Sequence, residues 1–205
     1  MNPLIDQPPK AVTVSGQKLP ISWDFRTGVR FELMMLEPDL SHEKKLCRAL
    51  LLYFGGVPDH PAEALDMAFW FWRCGKDPEE GSAGLFPQHA KRSYDFDEDG
   101  ERILSAFRSV YGIDLTTATM HWWTFRALFE ALPTTCDFVQ IMSYRTADTS
   151  GMSKSEKKRY AKMWKLYALK PKGKQGPKMT LEQRNQAMKD YVAKRFQNAG
   201  LEAGE

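Results

Sequence analysis

Long apolar runs, histidines and paired cysteines are scarce in this chain. No segment approaches the roughly 18 to 20 consecutive apolar residues that span a bilayer, and residues 1–10 hold three prolines and no apolar signal segment. Both features argue against a membrane span and against secretion by the usual route. The three cysteines, Cys47, Cys74 and Cys136, are odd in number, far apart and free of any C-x-x-C pair, which argues against a disulfide framework and for a reducing cytosol. His42, His60, His89 and His121 stand at no metal-ligand spacing to one another or to the cysteines. A glycine-rich phosphate loop, a nucleophile elbow, a zinc-protease helix and a Walker pattern are all missing. The expectation is a protein that is not an enzyme and needs no metal or cofactor.

What is present is apolar and charged material in unequal distribution. The 205 residues are 42% hydrophobic and 12% aromatic, enough for one core with appendages. The net charge of +3 hides an acidic body and a basic segment. Residues 1–150 hold 15 Lys and Arg against 21 Asp and Glu, residues 151–178 hold 10 against 1, and residues 179–205 hold 4 of each. The acidic body is the first partner this distribution offers the basic segment.

The spacing predicts a mainly α protein with a short N-terminal β-hairpin and a tethered C-terminal helix. After a leader of residues 1–10, Ala11 to Val14 and Gln17 to Ile21 read as two strands joined at Ser15-Gly16, with Pro20 marking an edge. Two strands alone are marginal in water, so this hairpin must lean on a helix. Helices are expected from Trp23 to Leu36, from Ser41 to Gly55-Gly56, from Pro61 to Cys74-Gly75, from about Asp97 to Gly112, and from about Thr116 to Leu132. The fifth looks apolar over most of its circumference and is the candidate central helix. Thr134 or Thr135 is the expected cap of a sixth helix carrying Phe138, Ile141 and Arg145. Ser153-Lys154-Ser155-Glu156 is a capping box for a seventh, to about Leu169. A long loop covers residues 76–93. A basic linker covers 171–179, and a second capping box at Thr180 opens a last helix within 180–205.

Several patterns invite a chemical reading. Asp95, Asp97 and Asp99 with Gly100 match the first half of a calcium loop, but position twelve is Ala106 where a bidentate carboxylate is required, so a metal site is rejected. The consecutive rings Phe69 to Trp72 cannot share one face; burial is the favoured fate, with Trp70 or Phe71 as an alternative partner-binding anchor. The seventh helix sets Lys154, Lys158, Lys162 and Lys165 along one side and Tyr160, Met163, Trp164 and Tyr167 along the other. That helix could pack on the body, contact a protein or contact nucleic acid. Its aromatic spacing suits packing or protein contact better than base stacking. The candidate partner-binding residues are Trp70, Phe71, Trp122, Trp164, Lys158, Lys162 and Lys165.

The order of signals, from the Ser15-Gly16 turn through Ile21-Ser22-Trp23-Asp24-Phe25-Arg26, the acidic Tyr94 to Asp99 stretch, Tyr111-Gly112-Ile113-Asp114-Leu115, His121-Trp122-Trp123-x-Phe125 and Arg145 before a lysine-rich helix, resembles the bacteriophage gene-product-fifteen family over about residues 11–170. The resemblance implies a helical tail-module protein of long-tailed phages and prophages, acting as a tail assembly chaperone in the bacterial cytoplasm during phage assembly. Its implied partners are the tape-measure protein and unassembled tail-tube subunits, with self-association open and no membrane. It supplies no catalytic residues. The competing class is a nucleic-acid-binding or structural virion protein using residues 154–178.

Overall fold

The computed structural model describes residues 2, 4–76, 91–171 and 186. The basic linker beyond residue 171, the last helix expected within 180–205 and nearly all of the expected 76–93 loop lie outside the described residues. Among those described, the protein is mainly α, with one two-stranded sheet. They fall into two compact units: residues up to Lys76 together with His121–Trp123, and residues 91–120 together with 124–171.

In the first unit, β1 (Ala11–Val14) pairs antiparallel with β2 (Gln17–Pro20), Val12 opposite Leu19. Ser15 and Gly16 both take positive φ, 45° and 77°, the geometry whose twist matches a tight hairpin. Val12 and Val14 point inward. The helical support demanded by so small a sheet is helix α3 (Pro61–Trp72): Glu63 accepts hydrogen bonds from Ser15 N at 2.8 Å and Ser15 Oγ at 2.7 Å. Helix α1 (Phe25–Leu36) starts at Asp24, whose side chain accepts from Arg26 N. Helix α2 (His42–Phe54) starts at Ser41 and ends at a left-handed Gly55, the stop that needs no Cβ. Helix α3 begins on proline and ends where Cys74 and Gly75 turn left-handed. Phe31, Leu50, Tyr53, Leu65, Phe71 and Trp122 are wholly buried in this core. Lys45, also buried, donates from Nζ to the Met35 carbonyl at 2.7 Å, satisfying one of the last acceptors of α1.

The second unit contains α4 (Gly100–Tyr111), most of α5 (Trp122–Glu130), α6 (Asp137–Thr146) and α7 (Lys154–Tyr167). Phe96, Phe107, Phe125, Phe129 and Phe138 form its aromatic core, with Phe107 and Phe125 stacked at 5.1 Å.

Three boundaries differ from expectation. Helix α4 begins at Gly100, after a turn over residues 96–99, because Asp95 and Asp99 direct their carboxylates inward instead of extending the helix. Helix α5 begins six residues later than Thr116. Asp114 accepts from both Thr116 N and Thr116 Oγ1, folding that stretch into a turn, and the His121 backbone forms an antiparallel bridge with Asp24. Ala127 and Ala131 are exposed, so α5 buries one face through Trp122, Phe125 and Phe129 and is not apolar all round. Helix α6 starts from Cys136, which makes no side-chain capping bond, and neither Thr134 nor Thr135 caps it. The Ser153 capping box of α7 is present with both reciprocal bonds.

Candidate partner-binding surface

The aromatic run of α3 is an interior feature of the first unit. Phe71 is fully buried, Phe69 is nearly so, and Trp70 and Trp72 are half-buried. The last turn of a helix leaves carbonyls without an intrahelical donor. Here two indoles supply donors: Trp122 Nε1 to Trp72 O at 2.8 Å and Trp123 Nε1 to Phe71 O at 2.7 Å. Trp70 meets Trp123 edge-on at 5.5 Å. Two glycines make room. A Cβ on Gly28 would sit 2.2 Å from Trp122 Cε3, and one on Gly75 would sit 2.9 Å from Trp123.

His121 belongs to the same cluster. Its ring stacks on Trp23 at 5.9 Å and meets Phe71 at 5.4 Å. Nδ1 accepts from Trp123 N at 3.1 Å, and Nε2 lies 3.0 Å from the Pro9 carbonyl, which can only accept. The proton therefore sits on Nε2 and the neutral ring satisfies both contacts. Burial lowers the His121 pKa and nearby Lys10 lowers it further, against the Pro9 bond, which raises it.

The acidic stretch of the second unit is an ion-pair node. Arg145 is almost fully buried and forms a bidentate pair with the fully buried Asp99, Nη1 to Oδ2 at 2.6 Å and Nη2 to Oδ1 at 2.9 Å. The same guanidinium donates to Tyr167 O at 2.7 Å and Ser93 O at 2.9 Å. Arg102 reaches Asp99 at 2.9 Å, and Arg92 reaches the buried Asp95 at 2.6 Å. Burial alone would raise the Asp99 pKa, but bonds from Arg145, the Asp95 amide and Arg102 outweigh it and hold the carboxyl below its ordinary value. The node ties together the 91–99 segment, the start of α4 and the ends of α6 and α7. Asp97 is exposed and donates its backbone N–H to Asp95 Oδ1. Sequence reasoning missed this role of Arg145. The available signal was its place at the i+7 position from Phe138 on the buried stripe of α6, where a lone cation requires a buried anion.

Helix α7 is the exposed element of this unit. None of its residues is buried. It meets α6 through tyrosines: Tyr144 is edge-on to Tyr160 at 5.4 Å and stacked with Tyr167 at 6.5 Å. At 100° per residue the stripe of Lys154, Lys158, Lys162 and Lys165 lies opposite those tyrosines, and all four lysines are exposed. Among the described residues no ion pair joins them to a carboxylate. The helix packs on the body through its tyrosines, and among the described residues the lysine stripe takes no part in that packing. Trp164, on the aromatic stripe by spacing, is not covered by the packing. It is 51% exposed at the border between the tyrosine face and the lysine stripe, and Leu166 is 67% exposed.

Beside Trp164 lies an open cavity of about 420 Å³, lined among others by Lys91, Arg92, Tyr144, Lys157, Tyr160 and Lys170. Of the sequence candidates, the structure brings together Trp164, Lys158, Lys162 and Lys165 on or beside the exposed side of α7. Trp70 is separate, half-buried against Trp123. Phe71 and Trp122, both at 0% exposure, present no surface to a partner and serve the core of the first unit. Lys91 was not foreseen, and Lys170 only as part of the basic segment 154–178, because only the folded chain sets them beside Lys157.

The family described as Bacteriophage Gp15 protein matches residues 4–169. The chain belongs to that family. No curated protein and no solved structure matches it. In this Gp15-family protein the matched span ends just after α7, so every motif that carried the resemblance lies within it. Asp24 caps α1, Gly112 ends α4 in the left-handed region, and His121-Trp122-Trp123 closes the aromatic cluster. Arg145 anchors the ion-pair node.

Proposed function

We propose that this Gp15-family protein is a non-enzymatic assembly factor of the phage tail, a chaperone that holds the tape-measure protein, and unassembled tail-tube subunits, in the host cytoplasm until assembly. The observation that carries the reading is α7. A helix with no buried residue, an exposed tryptophan and leucine, and a row of lysines that form no ion pair among the described residues is suited to contact with another macromolecule. The buried polar groups of the second unit support the same reading, since Asp95, Asp99 and Arg145, with the partly exposed Arg92, are engaged in ion pairs and the Arg145 bond to Tyr167 O holds α7 in place. A chaperone for a long amphipathic helix needs such a surface and no reacting group.

Co-expression with the tape-measure protein of the same genome is the test. The expected outcome is a larger soluble fraction of that protein and a co-purifying complex. A tape-measure protein equally soluble without the partner, and no complex at low salt, would refute the proposal.

The solvent-facing lysine stripe favours a second reading, a nucleic-acid-contacting structural protein of the virion, since phosphate binding requires outward cations. A gel shift that weakens with salt and vanishes on Lys158→Glu with Lys162→Glu would support it.

A further inference from the structure

Among the described residues, a larger and a smaller cavity can be compared on the second unit. The larger, about 850 Å³, lies along α4 and α6 and mixes Glu101, Asp137 and Gln140 with Arg102, so it favours no sign of charge. The smaller, beside Trp164, is different in kind. Lys91 and Lys170 come from the chain segments flanking the ion-pair node, and Lys157 comes from the first turns of α7. All three are exposed. Arg92 is committed to Asp95 and the Lys170 carbonyl, and Lys157 Nζ also donates to the Ser150 carbonyl at 3.1 Å, which holds its charge at the rim beside Lys91 and Lys170. On α7, Lys157, Tyr160, Ala161 and Trp164 follow one another at i, i+3, i+4 and i+7. One helix face therefore supplies a cation, two aromatic rings and a small residue to the cavity. Behind them Arg145 fixes the Tyr167 carbonyl at 2.7 Å, and Tyr144 contacts both Tyr160 and Tyr167, so the wall is preorganised.

We infer that this cavity is the docking site for an acidic amphipathic helix of the assembly partner, which places an apolar side chain against Trp164 and Tyr160 and its carboxylates on Lys91, Lys157 and Lys170. The inference rests on the assembly-factor reading above and names the chemistry of the segment held. Charge complementarity selects the occupant. Helix α7 carries six Lys and Arg against one Glu, and the rim adds Lys91 and Lys170. Carboxylates already stand among these cations: Asp148 lies near Lys91 and Lys157, its oxygens bonded to Ser150, and Glu98 accepts from Lys170 N. Discrete cations interleaved with acids suit spaced carboxylates on a helix and oppose a continuous phosphate chain. Trp164 beside the half-buried Tyr160 provides an anchor that a non-specific polycation lacks.

The test uses the full chain against overlapping peptides of the tape-measure protein, each about 20 residues or some 30 Å of helix, with a single-stranded DNA oligonucleotide as a second probe. The binding peptides are expected to be net acidic with an apolar i, i+3 or i+4 pair. Lys91→Glu with Lys157→Glu should weaken them about tenfold or more and flatten the salt dependence. Trp164→Ala should weaken them about 30-fold, the loss of one anchor residue. Both variants change exposed side chains, and an unaltered circular dichroism melt confirms that they fold. Neutral or basic binding peptides, or acidic ones indifferent to these substitutions, overturn the inference. Oligonucleotide binding that these substitutions abolish, with no peptide bound, overturns it in favour of nucleic acid. If no peptide binds while the intact tape-measure protein still co-purifies, the docking site fails and the chaperone reading stands. If the intact protein does not bind either, both fail.

Discussion

Replacing Gly28 by alanine sets two effects of known size against each other. In a helix interior alanine is favoured over glycine by about 1 kcal/mol, and Gly28 lies inside α1. Its missing side chain, however, is where Trp122 sits. A Cβ there would stand 2.2 Å from Cε3, 2.3 Å from Cδ2 and 2.7 Å from Cζ3 of that indole, whereas carbon atoms pack at about 3.5 to 4.0 Å. The ring has little freedom to retreat: it is fully buried, and its N–H is held by the Trp72 carbonyl at 2.8 Å. Overpacking costs about 1 to 3 kcal/mol, occasionally more, and three simultaneous close contacts argue for the upper end. The net loss should be about 1 to 2 kcal/mol after the helix gain, a melting temperature lower by roughly 2 to 8 °C for a chain of this size. The control is Gly56→Ala, where nothing lies within 4 Å and the backbone is not left-handed; it should shift stability by no more than about 0.5 kcal/mol. Urea unfolding of the two variants beside the unaltered chain decides the matter. Gly28→Ala as stable as the unaltered chain would refute the packing argument. Combining it with Trp122→Phe, which trims the ring that clashes, should return part of the loss.

Three further outcomes follow from the buried charges and the histidine. Arg145→Met leaves Asp99 buried without its bidentate partner and should cost about 3 to 5 kcal/mol in denaturant unfolding; a loss under about 1 kcal/mol would show that the node contributes little. Because the Asp99 pKa is held below its ordinary 3.8, the pair's contribution is complete above that pH and is lost as pH falls through the folded value, so the acid-unfolding limb below about pH 4 should be shallower in Asp99→Asn, the remainder coming from Glu63, Asp114, Asp148 and Glu156, which are also held low. His121 has a folded pKa below 6.5, so the unfolded chain binds its proton first. Stability should therefore fall as pH drops from about 6.5 towards the folded value, a slope that His121→Gln removes.

Local chemistry was the legible part of this chain. The Ser15-Gly16 turn, the Ser41 and Ser153 caps and the Gly55 and Gly112 stops each depend on residues within a few positions of one another. The start of α5 was not legible. Apolar residues keep helical spacing across Met120, and the deciding interactions are the Asp114 turn and a bridge to Asp24 far back in the chain. The acidic stretch could be rejected as a calcium loop from Ala106, but its real use needs Arg145, 46 positions beyond Asp99. The surface was half legible. A lysine stripe and an aromatic stripe on α7 are visible in the spacing. That the tyrosines take the packing face while Trp164 stays exposed depends on Tyr144 of α6. Burial of Phe71 and Trp122 depends likewise on the meeting of α3 with residues 121–123.

The central claim, that this Gp15-family protein serves tail assembly, is tested most directly in an infected or induced host whose phage carries a nonsense codon early in this gene. Electron microscopy and fractionation of the lysate are the readout. The account predicts filled heads without tails, and tape-measure protein in the insoluble or degraded fraction, both reversed by supplying the protein from a plasmid. Tails of normal length and number in the mutant lysate would contradict it.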